Sequence, residues 1–101
     1  MKDKILNSLR KVSLEIFPEF SGNFQVTKPQ DSLHGDWTSN LALIMAKEMK
    51  TNPHDLAREI VNNLGSLDFS EKIEVAGAGF INIYLKEEIF FSQIKKYALG
   101  D

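Results

Sequence analysis

The sharpest hydrophobic pattern in the chain runs from Ile73 to Leu85, Ile-Glu-Val-Ala-Gly-Ala-Gly-Phe-Ile-Asn-Ile-Tyr-Leu. Apolar positions alternate on either side of Gly77-Ala78-Gly79, which predicts two short strands joined by a glycine turn. Successive side chains of a strand point to opposite faces. Ile81, Ile83 and Leu85 therefore share one face, and Phe80, Asn82, Tyr84 and Lys86 share the other. The first face is core material. The second sets two aromatics, an amide and a cation in a row.

Elsewhere the spacing is mostly helical. Ile5, Leu6, Leu9, Val12, Ile16 and Phe17 recur as one face of a helix over residues 1–17, and Pro18 fits its end. Phe24-Gln25-Val26-Thr27 alternates and predicts a short strand, with Phe24 and Val26 turned inward. A second short strand is expected near Ser32 to Trp37. Leu41, Ile44, Met45 and Met49 mark a helix from Thr38 to Lys50, with Asp36 or Thr38 as its cap. Gly35 allows the turn before it. Asn52-Pro53 opens the next helix as N-cap and first helical residue, its apolar stripe being Leu56, Ala57, Ile60, Val61 and Leu64, and Gly65 stops it. Ser66 to Lys72 is expected to be a polar connection, with Leu67 and Phe69 anchored inward. Glu87 to Leu99 is the last helix, with Ile89, Phe90, Ile94, Tyr97 and Ala98 inward. This order predicts one α+β domain over residues 1–101, a two-layer α/β sandwich whose small antiparallel sheet of three to four strands packs against about four helices.

Composition narrows the function. The chain has 101 residues, 43% hydrophobic and 26% charged, which is ordinary globular composition. No cysteine is present, so disulfides and thiolate metal sites are excluded, and a reducing, cytoplasmic setting is expected. No apolar run approaches the ~18 residues that span a bilayer, and the N-terminal Met-Lys-Asp-Lys-Ile lacks a signal-peptide core. A net charge of −2 argues against gripping nucleic acid by bulk electrostatics. Any such contact must be local or shared with a neighbouring domain.

Candidate chemistry is sparse. His34 and Asp36 near a turn are too few for a closed metal site, and His54-Asp55 adds no recognised spacing. No nucleophile motif and no phosphate-cradling glycine loop occur. What remains is the Phe80, Asn82, Tyr84 and Lys86 face. Rings stack unpaired bases, amides meet base edges, and cations meet phosphates. A helix covering this face and burying both rings is the commoner fate of aromatics.

Four stretches in series resemble the N-terminal additional domain of arginyl-tRNA synthetase: His34-Gly-Asp-Trp-Thr-Ser-Asn40, Leu41-Ala-Leu-Ile-Met-Ala-Lys47, Asn52-Pro53 with Ala57, and Glu74-Val-Ala-Gly-Ala-Gly-Phe-Ile-Asn-Ile-Tyr-Leu85. The resemblance covers nearly the whole chain. It implies a two-layer α/β fold that contacts the outer corner of tRNA(Arg) and a D-loop base, through an aromatic residue and an amide two positions later. Those positions are Phe80 and Asn82 here, with Tyr84 and Lys86 expected beside the neighbouring backbone. Trp37 stands where the family commonly has Tyr or Phe, Ala78 where proline is frequent, and Gly77 where one variant has a further amide. The catalytic motifs His-Ile-Gly-His and Lys-Met-Ser-Lys-Ser are not in this sequence. The resemblance therefore assigns ATP and Mg to a catalytic domain of the same polypeptide and no cofactor to this chain, which would not activate arginine alone. The competing expectation is a free-standing protein-docking module with no RNA role.

Overall fold

The computed structural model describes residues 1–30, 35–89 and 91. Its elements run α1 (Lys2–Ile16), β1 (Val26–Thr27), β2 (Trp37–Ser39), α2 (Leu41–Met49), α3 (Pro53–Leu64), β3 (Ser70–Ala76) and β4 (Phe80–Leu85). Residues 87–89 are helical as well. The expectations for Leu33 and His34, and those for the last helix at Phe90 and beyond Phe91, lie outside the described residues.

All strand pairs are antiparallel, in the order β1-β2-β4-β3. β4 is thus a central strand, and β2 reaches it only after the chain has passed through α2, α3 and β3. The helices pack on the face that carries Val26, Ser39, Ile81 and Ile83. There Ile5, Leu9, Leu41, Met45, Leu56 and Ile60 complete a single core. The result is an α+β domain of two layers, with a four-stranded sheet among the described residues, as the hydrophobic pattern predicts.

Local chemistry fixes the element ends. Asn52 Oδ1 accepts the Asp55 N–H at 3.0 Å, and Pro53 takes the first helical position of α3, where its missing N–H costs nothing. Gly65 ends α3 with a positive φ of 62°. The turn between β3 and β4 approaches α3 closely. Gly79 has φ 141°, and a Cβ there would lie 2.8 Å from the Pro53 carbonyl oxygen. Only glycine lets the hairpin close against the start of α3.

Several expectations need correction. The connection expected over Ser66 to Lys72 gives way to β3 at Ser70, because Ser70 and Lys72 pair with Leu85 and Tyr84 of β4. The strand expected over Phe24–Thr27 shrinks to Val26–Thr27, the two residues that pair with β2, because the Gln25 N–H donates to the Asn40 side chain at 2.8 Å. The helix expected from Thr38 begins at Leu41, because Trp37, Thr38 and Ser39 pair with β4 on one side and, through Thr38 and Ser39, with β1 on the other. The strand expected near Ser32 to Trp37 accordingly lies at Trp37–Ser39. Neither Asp36 nor Thr38 caps α2. The Asp36 carboxylate accepts the Leu85 N–H at 2.7 Å, while Ser39 Oγ accepts the Leu41 N–H at 3.2 Å. Asn40, at the N-cap position itself, spends its side-chain oxygen on the Gln25 N–H at 2.8 Å. Gly35 (φ 98°) is required for a close approach: a Cβ there would meet the Ile83 carbonyl oxygen at 3.0 Å.

Candidate nucleic-acid interface

The alternation of β4 sets the site. Ile81, Ile83 and Leu85 are buried among the helices, so Phe80, Asn82 and Tyr84 face the other side of the sheet. Register then assigns their neighbours. Asn82 lies between Thr38 of β2 and Glu74 of β3, Phe80 lies beside Ala76, and Tyr84 lies beside Lys72.

The residues of this face differ in accessibility. Phe80 is 42% exposed, an unusual fate for a large ring. Asn82 is only 4% exposed, and the Thr38 hydroxyl donates to its Oδ1 at 2.8 Å. The two residues line a shallow pocket of about 270 Å3, completed by Pro29, Thr38, Ala76 and Gly77. A ring stands at its rim and an amide in its floor.

Tyr84 is half-buried and its face is occupied. The Lys72 ammonium sits 4.4 Å from the ring centroid and 3.2 Å from Glu74 Oε1. The hydrogen bond and charge of Glu74 raise the Lys72 pKa above its ordinary value. Lys86 lies past the end of β4. Its backbone N–H donates to the Phe69 carbonyl at 3.0 Å, and it borders a separate recess with Glu71, Glu87 and Glu88. A recess bordered by three acidic residues and one lysine makes a poor seat for a phosphate.

The structure therefore brings Phe80 and Asn82 together, keeps Tyr84 nearby under Lys72, and sets Lys86 in a different recess. Sequence reasoning missed Thr38, Lys72 and Glu74. Their place depends on strand register, and no local pattern carries that information across 44 residues. Among the described residues no group of three His, Asp or Glu could hold a metal ion, and no helix is long and apolar enough to cross a membrane.

A helix-backed antiparallel sheet with a pocket on its outer face, built from a chain of this size, defines a small α+β domain. Within that class the chain belongs to the arginyl-tRNA synthetase N-terminal domain family, whose model matches residues 1–85. Relatives agree. The arginine–tRNA ligase of Psychrobacter cryohalolentis is 42% identical over 78 residues, 77% of this chain and 13% of that protein. That of Pseudoalteromonas translucida is 49% identical over 77 residues, 76% of this chain and again 13% of the relative. The chain thus spans about one-eighth of the length of these relatives. Solved structures share the fold. Arginyl-tRNA synthetase from Plasmodium falciparum superimposes with a TM-score of 0.80 at 22% identity, over 94% of this chain and 18% of that one. The Thermus thermophilus enzyme gives 0.77 at 20% identity, over 92% and 15%.

Proposed function

We propose that this chain is the tRNA-recognition domain of an arginine–tRNA ligase, and that it contacts the D-loop at the outer corner of tRNA(Arg) while a catalytic domain of the same polypeptide performs the arginylation. The observation that carries the proposal is the exposed Phe80 ring at the rim of a pocket with Asn82 in its floor, in a chain whose relatives are arginine–tRNA ligases. ATP and Mg belong to the catalytic domain in this reading.

The chemistry divides between the two residues. Phe80 stacks on an unpaired base, a contact worth about 1–3 kcal/mol and tolerant of base identity. Asn82 hydrogen-bonds the edge of that base and supplies the discrimination. The Tyr84 ring face is taken by Lys72, which leaves stacking to Phe80. Lys72 is a better placed cation than Lys86 for the flanking backbone, because it stands on the same face as Phe80. The concave shape of the pocket, with an exposed ring at its rim, favours an unpaired base over protein docking.

The test is arginylation by the whole synthetase on tRNA(Arg) carrying each D-loop base in turn. Phe80→Ala should lower kcat/KM about 5- to 150-fold whatever the base, the range one lost stack supports. Asn82→Ala should mainly flatten the preference among bases. If both variants stay folded and charge every tRNA as the wild type does, the face is structural and the proposal fails.

A further inference from the structure

The pocket contains one contact that the stacking and edge-reading roles do not use. The Thr38 hydroxyl, on the neighbouring strand, donates to Asn82 Oδ1 at 2.8 Å. We infer that Thr38 is a positioning residue that fixes the orientation of the Asn82 amide, so that an unpaired base in the pocket meets its NH2 group and not its oxygen. This inference rests on the reading of the pocket given above.

Strand register supplies the argument. Thr27, Thr38, Asn82 and Glu74 stand at one level across the four strands, on the same face. The carboxamide of Asn82 has two ends of opposite polarity and a terminal torsion that is roughly two-fold. Left to itself, it could present either end. On the β2 side it meets a hydroxyl donor, which takes the oxygen. On the β3 side the register neighbour is Glu74, whose carboxylate is paired with Lys72 at 3.2 Å and offers the amide oxygen no donor. The hydroxyl of Thr38 therefore sets the orientation of the amide.

The chemical class of ligand follows. A pocket that offers NH2 accepts a base presenting a ring nitrogen or a carbonyl oxygen to the Asn82 amide. An exocyclic amine at the same place would set donor against donor. The preference is therefore decided jointly by Asn82, which makes the contact, and Thr38, which orients it.

The experiment compares Thr38→Val, Thr38→Ser, Asn82→Ala and Phe80→Ala in the whole synthetase, on tRNA(Arg) with each D-loop base in turn, with a melting curve for every variant. Valine keeps the shape of threonine and removes the donor. Thr38→Val should cut the ratio of kcat/KM between the preferred and the poorest base about three- to tenfold, the range of one neutral hydrogen bond. Thr38→Ser, which restores the hydroxyl, should recover the wild-type ratio. A purely structural role would lower the melting temperature and scale all four bases together. If Thr38→Val fails to fold, Thr38→Ala removes the same donor and takes its place. A wild-type ratio in the folded hydroxyl-free variant, beside a flattened ratio in Asn82→Ala, would overturn the inference and leave the pocket reading intact. Unchanged charging in both Phe80→Ala and Asn82→Ala would overturn the pocket reading and the inference with it.

Discussion

At the scale of single residues, Asp36 shows how far a side chain's partner can lie from where the sequence directs attention. Its carboxylate holds the Leu85 N–H, 49 positions away, and its own N–H donates to the Ile83 carbonyl at 2.9 Å. Asp36 therefore fastens the approach to β2 onto the far end of β4. Asp36→Ala leaves a partly buried N–H without its acceptor, which should cost about 1–3 kcal/mol of stability. Urea denaturation of the 101-residue chain measures this, and an unchanged midpoint would show that water replaces the carboxylate at no cost. Asn52→Ala is expected to cost about 1 kcal/mol through loss of the α3 cap. The same contrast explains what was legible in the sequence. The Asn52 cap is read from adjacent residues and is observed as expected. The Asp36 contact depends on pairing between distant strands, and cap chemistry alone assigned it to the wrong partner.

At the scale of elements, periodic segments were legible and short ones were not. α1 and α3 fall within a residue or two of their expected bounds, because several turns of apolar spacing define them. β4 was legible through strict alternation, and that alternation gave the orientation of Phe80 and Asn82 correctly. It could not reveal that Asn82 is nearly buried, since that depends on Thr38 and the neighbouring strands. β1 and β2 have two and three residues, too few for a period to register. What holds the segment before β1 is Arg10 of α1. Its guanidinium carbon lies 5.3 Å from the Phe20 ring centroid and 4.7 Å from that of Phe24, and its Nη2 donates to the Gly22 carbonyl at 3.1 Å. Arg10→Ala should cost about 1–2 kcal/mol, as two cation–ring contacts go together. Hydrogen exchange should place the effect locally. The Gln25 amide, bound to Asn40 Oδ1, should lose protection while amides in the middle of α3 keep most of theirs. Uniform loss across both would show that the clamp belongs to the global core.

At the scale of the whole molecule, charge limits what the domain does unaided. The net charge is −2, and on the outer face Lys72 is already paired with Glu74. Binding of tRNA(Arg) by the isolated chain should be weak, with log K falling against log salt at a slope no steeper than about −2. Filter or fluorescence titration over a salt series checks this, and tight binding with a steep slope would point to a basic face. Within a synthetase such weakness is affordable, because a tethered domain acts at high effective concentration.

The placement of β4 in the middle of the sheet has a consequence for how the domain can diverge. Its residues belong alternately to two surfaces, with Ile81, Ile83 and Leu85 in the core and Phe80, Asn82 and Tyr84 outside it. Point changes at the outer positions can retune what is bound while the inner set holds the fold. Insertion or deletion of one residue within β4 cannot, because a slip by one exchanges the two surfaces. Asn82 would enter the core as an isoleucine left it. Lineages carrying this strand should therefore vary by substitution on its outer side, with Thr38 changing alongside position 82, and keep their length changes in the loops.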